Sequence, residues 1–332
     1  MSNNSPLISV IVPIYNRLHF LPQLFNTIFA QDYENFEVII VDDGSTDDSA
    51  KWINDNKHSF RKEITMIYQP NAGHYAARNN GLDHAKGELI AFQDSDDEWP
   101  SYHLSQFAKL FEKNPDVDWI FGSLRRINHD TRETVEESNF VTKGGNRHPF
   151  LLLDTDTRED GLAVITDKRI GEVAILSRVP GSTQSAIMRK KIYSSLRFDP
   201  SYRTAYDQFF AVKVVLAGFT FGFVEDVHQI YHIHDAHVST VAGGNADKME
   251  KSARTHIRGY SSLLPCTHTK QEADKVNKRL AQEWAWSLST ALRDKKQHKA
   301  EFKAMCNAIK LFPSEPLYWK TALAALTRSI VG

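Results

Sequence analysis

This sequence predicts an α/β fold: a mostly parallel central sheet with flanking helices, followed by a helical C-terminal appendage. Three observations predict it. Short apolar runs alternate with amphipathic stretches through the first 124 residues. Two of those runs end directly in acidic clusters, Asp42-Asp43 and Asp94-Ser95-Asp96-Asp97. After Gly243 strand-like runs stop and only helical periodicity remains.

Residues 7–13 (LISVIVP) are apolar and rich in β-branched side chains, the pattern of a strand buried on both faces. Residues 18–31 set Leu21, Leu24, Phe25, Ile28 and Phe29 at helical spacing. Residues 36–41 (FEVIIV) form a second buried strand that ends in the turn chemistry of Asp42-Asp43-Gly44-Ser45. Ser45 and Asp48 have the spacing of a capping box for the next helix. Residues 64–68 predict a third strand. A loop through Gly73 then leads into a helix to about Ala85, with Gly87 closing it. Residues 88–93 (ELIAFQ) are a fourth strand. A helix over 102–113 shows Leu104, Phe107, Leu110 and Phe111 on one face, and residues 119–124 are a fifth strand.

Residues 128–179, rich in Asp, Arg, Thr and Gly, read as long loops with one hairpin. Pattern returns over 182–188, followed by a helix over 205–216 and a strand over 219–224. Residues 246–330 are helical, with Ala281, Trp284, Ala285, Leu288 and Leu292 in phase. The expected division is a main domain over 1–243 and a helical appendage over 244–332.

Bulk composition narrows the function. With 332 residues, 41% of them apolar, a large core can be buried. Forty Lys and Arg against 41 Asp and Glu give no electrostatic reason to expect a nucleic-acid partner. Cys266 and Cys306 form no CxxC pair, which suits a reducing compartment. The start of the chain carries no basic-then-apolar leader. The apolar stretches at 8–14 and 209–224 are too short, or too interrupted by Lys213, Gly218 and Gly222, to span a bilayer. A cytoplasmic protein is expected, with peripheral contact at the inner face of the plasma membrane as an option.

Ligands of parallel α/β sheets gather at the carboxyl ends of strands, where both acidic clusters fall. Asp94, Asp96 and Asp97 repel one another unless a cation or solvent intervenes. A hard divalent ion, Mn²⁺ or Mg²⁺, takes oxygen ligands and bridges to phosphate oxygens. The competing reading is a solvated acidic turn before a helix. Asp42-Asp43 is either turn chemistry or an acceptor for a base or ribose. Tyr15 offers a flat face to a base, or else caps the edge of the core. His74 and Arg78 share a helix face, with Arg78 a candidate for a diphosphate and a surface arginine the default. Asp207 opens a helix, where an acid often only complements the dipole. His228, His232, His234 and His237 fit no zinc spacing; His234 is expected near the cleft and the others are structural or exposed. Neither GxGxxG after the first strand, nor GxxxxGK[ST], GxSxG or HExxH is present.

Taken in order, ISVIVPIYN, FEVIIVDDGSTDDS, NAGHYAARNNGL, GELIAFQDSDDEW and YRTAYDQFF resemble the family 2 glycosyltransferases of bacterial type, which have the GT-A fold. The resemblance covers 7–124 and 182–240, and says little of 128–180 or 246–332. It implies an inverting, metal-dependent transfer of a sugar from a nucleotide-sugar donor, with UDP the first choice of nucleotide. The acceptor would be a hydroxyl of a glycan or lipid-linked glycan in surface polysaccharide synthesis. It makes 7–124 the donor part and 125–243 the acceptor part.

The resemblance sets Pro13, Tyr15 and Asp43 in a base and ribose pocket, flanked by Asp42. Asp94-Ser95-Asp96 matches a DxD motif, whose last acid holds the metal under the diphosphate, with Asp97 able to share. His74 and Arg78 lie toward the donor. Asp207 matches the general base, although the family often has Glu-Asp where this chain has Tyr206-Asp207. His234 and Ser239 match a histidine-then-serine pattern, which adds His234 to the metal set. The rival readings are a nucleotidyltransferase, disfavoured by the lack of glycine in VPIYNRLHF, and a non-catalytic carbohydrate-binding relative. In the last helix Trp319, Ala322, Leu323, Leu326 and Ile330 form an apolar face near Lys320 and Arg328. Packing within the chain is the default for it; pairing into a homodimer and lying on a membrane are the alternatives.

Overall fold

A computed structural model describes residues 5–181, 183–234 and 245–331. The expected elements form. The strands are β1 (Ile8–Ile14), β2 (Phe36–Asp42), β3 (Ile64–Tyr68), β4 (Leu89–Phe92), β5 (Trp119–Asn128), β6 (Thr134–Glu136), β7 (Thr155–Thr157), β8 (Ala163–Ile165), β9 (Ala186–Arg189) and β10 (Phe221–Ile233). The helices of the first half are α1 (Leu21–Phe29), α2 (Ser49–Asn56), α3 (His74–His84) and α4 (His103–Lys113). Then come α5 (Ile170–Ser177), α6 (Ile192–Ser195) and α7 (Tyr206–Leu216), and α8 (Ala246–Ser261), α9 (Lys270–Gln282), α10 (Ser289–Asp294), α11 (His298–Leu311) and α12 (Pro316–Val331) complete the chain.

The chain divides into two compact units: residues 1–170 with 179–236, and residues 171–178 with 237–332. In the first, one sheet runs in the order β3-β2-β1-β4-β9-β5-β10-β8-β7, with β6 beside β5. β1 pairs in parallel with β2 on one side and β4 on the other. Strand order therefore reverses at β1, and in open α/β sheets the crevice for ligands lies beyond the carboxyl ends at such a point. All seven residues of β1 are buried, as its unbroken apolar run requires. β9 enters antiparallel between β4 and β5. The core below the crevice joins β1, β2 and β4 to Leu24, Phe25 and Ile28 of α1 and to Leu104, Phe107 and Phe111 of α4.

Three expectations need correction. The capping box at Ser45 and Asp48 does not form: Asp48 is the N-cap of α2 without a side-chain bond. Instead the Ser45 amide donates to Asp42 Oδ1 at 2.8 Å, and its Oγ accepts from the Asn16 amide at 3.0 Å. The strand expected over 219–224 continues to Ile233, because after two register shifts, between Phe223 and Gln229, it goes on pairing with the long strand β5. Residues 128–179 hold more than loops: besides the hairpin of β7 with β8 they contain α5, whose run Ile170–Ser177 is too short to betray its period.

The second unit is helical. A π-turn at Glu283–Leu288 joins α9 to α10, and Ala281, Ala285, Met305, Ala308, Tyr318 and Ala322 pack into one cluster. Leu288 and Leu292 pack with Ala253 and Ala304 in another. No helix among the described residues is long and apolar enough to cross a membrane.

Candidate active site

The carboxyl ends of β1, β2 and β4 are stitched together by short polar side chains. Asn16, just beyond β1, has φ +53°, a left-handed conformation that Asn tolerates. Its Oδ1 accepts from the amides of Thr46 at 2.7 Å and Asp47 at 3.3 Å, which fixes the loop after β2. Asp43 is 3% exposed. Its carboxylate accepts from Gln69 Nε2 (2.7 Å), the Ala72 amide (2.8 Å) and the Gly73 amide (2.8 Å). Gly73 begins α3 with φ +95°, and a Cβ there would meet Arg203 Nη1 at 2.7 Å. Asp42 and Asp43 thus set the loop geometry that launches α3. Pro13 is buried in β1 opposite Val41, and Tyr15, beyond the strand end, is 44% exposed.

Arg78 on α3 sits at the centre of the arrangement. It is 1% exposed and its guanidinium lies over the rings of Phe92, Phe198 and Tyr75 at 5.4, 5.6 and 5.8 Å. One end donates to Asp94 Oδ1 at 2.8 Å and the other to Asp207 Oδ1 at 2.5 Å. Asp94 follows β4, and Asp207 lies in the first turn of α7, 113 residues later. Thr183 Oγ1 donates to Asp207 Oδ1 at 3.2 Å and Gln184 Nε2 donates to Asp94. Tyr75 Oη donates to Asp207 Oδ2 at 2.9 Å and accepts from the Tyr206 amide at 2.8 Å. Ala205, immediately before α7, holds φ +64°.

Enclosure by protein alone would raise the Asp207 carboxyl, but the Arg78 charge, with His74 and Tyr75, outweighs it and moves the group below its ordinary value. His74, partly buried, moves down as well: burial disfavours its cation first, and Arg78 repels it second. The fields of Asp207, Asp94 and Asp43 all reach His74, so these acids share one neighbourhood.

The rest of the acidic run divides. Asp96 Oδ2 is 3.5 Å from His234 Nε2 and 3.7 Å from Arg17 Nη2. Arg17 also donates from Nε to Ser95 Oγ at 3.1 Å. Asp97 is 2% exposed and turned away from this pair. It accepts from Gln229 Nε2 at 2.6 Å and from the His232 amide at 3.1 Å, both on β10. Burial, then Asp96 and Asp94, push its carboxyl well up. Asp97 therefore fastens the acidic loop to β10.

Glu98 continues that fastening. Its backbone bridges Ile230, and its carboxylate lies 2.8 Å from His232 Nε2 and 2.8 Å from Arg132 Nη1. The His232 bond, opposed by burial and helped by Arg132, lowers Glu98 to about 2. His129 Nδ1 meets His232 Nδ1 at 3.0 Å, and the His234 ring packs 5.1 Å from Phe20. His228, also on β10, is buried with its Nδ1 3.3 Å from that of His103. His237 and Ser239 lie outside the described residues.

Sequence reasoning missed four residues of this neighbourhood: Arg17, Tyr75, Thr183 and Gln184. Arg17 had a signal, since it lies three residues past the carboxyl end of β1. The other three had none, because only tertiary contact links them to Asp207 or Asp94.

Among the described residues no three His, Cys, Asp or Glu side chains stand together as a metal shell. Asp96 and His234 still offer an oxygen and a nitrogen donor side by side, which fits an ion whose remaining positions go to phosphate oxygens and water.

A sequence model of glycosyl transferase family 2 matches residues 9–178, just over half of the chain. The chain belongs to glycosyl transferase family 2. Among curated members, it is 35% identical to YibD of Escherichia coli over 172 residues, 49% of this chain and 46% of that protein. It is 38% identical to an uncharacterized glycosyltransferase of Nostoc sp. over 132 residues, 40% of this chain and 40% of that protein. The chain thus matches less than half the length of these relatives.

Two solved structures share the fold. Staphylococcus aureus TarS in complex with UDP-GlcNAc superposes with a TM-score of 0.64 at 19% identity, over 92% of this chain and 81% of that one. The mannosyltransferase PcManGT of Pyrobaculum calidifontis, in complex with GDP-Man and Mn²⁺, gives 0.57 at 18% identity, over 99% and 87%. The fold of this family 2 member is GT-A: a mixed α/β sheet with flanking helices and a helical C-terminal region.

Proposed function

We propose that this family 2 member transfers a sugar from a nucleoside diphosphate donor to a hydroxyl of a glycan or lipid-linked glycan, with inversion at the anomeric carbon. The observation that carries the reading is the buried Arg78, which draws Asp94 of the β4 end and Asp207 of α7 to one guanidinium. The donors held by TarS and PcManGT, UDP-GlcNAc and GDP-Man, support a nucleotide-sugar donor.

The acceptor hydroxyl oxygen attacks the anomeric carbon, the bond from that carbon to the diphosphate oxygen breaks, and the hydroxyl proton passes to Asp207. Arg78 and Tyr75 hold the Asp207 carboxylate ionised and fixed in orientation. A lowered carboxyl is a weak base in the ground state, so proton transfer follows the growing acidity of the attacking oxygen. No covalent intermediate on the enzyme is needed. Pro13, Tyr15, Asp42 and Asp43 form the base and ribose side, where Tyr15 offers the open ring and Asp43 the loop backbone it organises. Asp96 and His234 would hold Mn²⁺ or Mg²⁺, which supplies Lewis-acid neutralisation of the leaving diphosphate. His74 and Arg78 are the proposed basic groups toward the donor. UDP is the proposed nucleotide, and residues 125–243 are the proposed acceptor side.

The test is a panel of nucleotide sugars with Mn²⁺, read by release of free nucleoside diphosphate. Asp207→Asn should lower turnover by roughly 10²–10⁴-fold while donor affinity holds. Release of pyrophosphate instead would mean attack at phosphorus and overturn the reading. So would full turnover in Asp207→Asn.

A further inference from the structure

The last helix presents an apolar stripe that its own unit leaves uncovered. α12 buries Tyr318, Ala322 and Ala325 against the helical unit. The stripe beside them, Trp319, Leu323 and Ile330, stands 56%, 66% and 75% exposed. Those positions, with half-buried Leu326, follow i, i+4, i+7, i+11, a line along the helix rather than scattered side chains. Trp319 Nε1 donates to the Pro313 carbonyl at 2.9 Å, so the polar edge of the indole is satisfied within the protein and the ring is left as bare apolar surface.

The charge around the stripe decides what fits it. From Lys296 onward the chain has six Lys or Arg and two acids, in a protein with as many acids as bases. One of the two acids, Glu301, is 1% exposed and closed by Arg328 at 2.6 Å and His298 at 3.1 Å. Lys296, Lys299, Lys303, Lys310 and Lys320 are all exposed, and Glu315 alone remains at the surface to oppose them. An apolar helical stripe, with Lys320 on the same helix and exposed lysines on the neighbouring α11, has the composition of a segment that lies in a lipid interface, its apolar side chains among acyl chains and its lysines at anionic headgroups. A second copy of the same surface would bring lysines against lysines, which disfavours self-pairing.

We propose that α12, with the lysines of α11 beside it, docks this protein on the surface of an anionic phospholipid bilayer. The inference is independent of the sugar-transfer reading, since it uses no residue of the crevice.

Full-length protein would be sedimented with vesicles of phosphatidylcholine alone and with vesicles containing about 30% phosphatidylglycerol. Partitioning should be at least about tenfold stronger on the anionic vesicles and should fall steeply at about 0.5 M salt. Leu323→Glu/Ile330→Glu, at exposed positions that leave the core intact, should bring binding down to the level of the neutral vesicles. Lys310→Glu/Lys320→Glu should lower it severalfold by the charge route alone. Circular dichroism and melting temperature check that the variants stay folded. On anionic vesicles Trp319 emission should shift to the blue, and Trp319→Phe should abolish that component.

Equal partitioning on both vesicle types overturns the proposal, as does undiminished binding by the Leu323→Glu/Ile330→Glu variant. Light scattering without lipid adds a further discriminating result. A dimer that this variant dissociates, with no loss of lipid binding, would assign the stripe to a second copy instead.

Discussion

Replacing Arg78 by methionine tests the centre of the site. Methionine keeps an unbranched apolar stem, though a shorter one, and removes the guanidinium that joins Asp94 at 2.8 Å to Asp207 at 2.5 Å. Each lost charge-assisted bond is worth about 1.5–3 kcal/mol. Removing one partner from a buried pair costs about 3–5 kcal/mol because the remaining charge is stranded. Here both carboxylates are 32% exposed, so water recovers part of that cost, and a loss near the lower end, about 3 kcal/mol, is expected. Urea unfolding measures it. Turnover should fall by about 10²-fold or more, because Asp207 loses the contact that fixes its direction. Arg78→Lys keeps the charge but not the fork that spans two acids, so it should restore stability in part and turnover little. If Arg78→Met stays within about 0.5 kcal/mol of the parent and turns over donor at the parent rate, the guanidinium does not organise this site.

Further outcomes follow from the same geometry. Tyr75→Phe removes a hydroxyl that donates to Asp207 and accepts from the Tyr206 amide, leaving that amide without its partner; a loss of about 1–2 kcal/mol is expected in urea titration. Asp96→Ala should abolish the difference in donor affinity between Mn²⁺ and chelator, measured by calorimetry, whereas Asp97→Asn should leave that difference intact and lower stability through β10. His228 is buried and its pKa falls to about 3, chiefly by desolvation, against an unfolded value near 6.5. Below pH 6.5 the unfolded chain therefore binds a proton that the folded chain refuses until pH 3. Stability should then fall with decreasing pH through that window by up to about 1.4 kcal/mol per unit for this one group. His228→Phe should flatten the slope between pH 6.5 and 4.5, and an unchanged slope would show that His228 titrates normally.

Much of this molecule is legible in one dimension, and the legible part has a common physical origin. A strand buried on both faces must be a short unbroken apolar run, so ISVIVPI and FEVIIVD declare β1 and β2 without help. Ligand-binding loops of a parallel sheet follow such runs, so Asp42-Asp43 and Asp94–Asp97 declare the crevice. Tertiary structure alone decided what each acid does there. Asp96 and Asp97 are adjacent and chemically identical, yet the turn after β4 sends one toward His234 and the other into β10. Composition cannot carry that distinction. Nor can it show that Arg78 is buried, since a lone arginine on a helix is ordinarily a surface group. It is buried because two carboxylates from segments more than a hundred residues apart meet it, and only the folded sheet, with β9 inserted between β4 and β5, brings those segments to one place. α12 divides in the same way: sequence periodicity marks its apolar residues, while packing on α11 decides that Ala322 is covered and Leu323, one position on, is not.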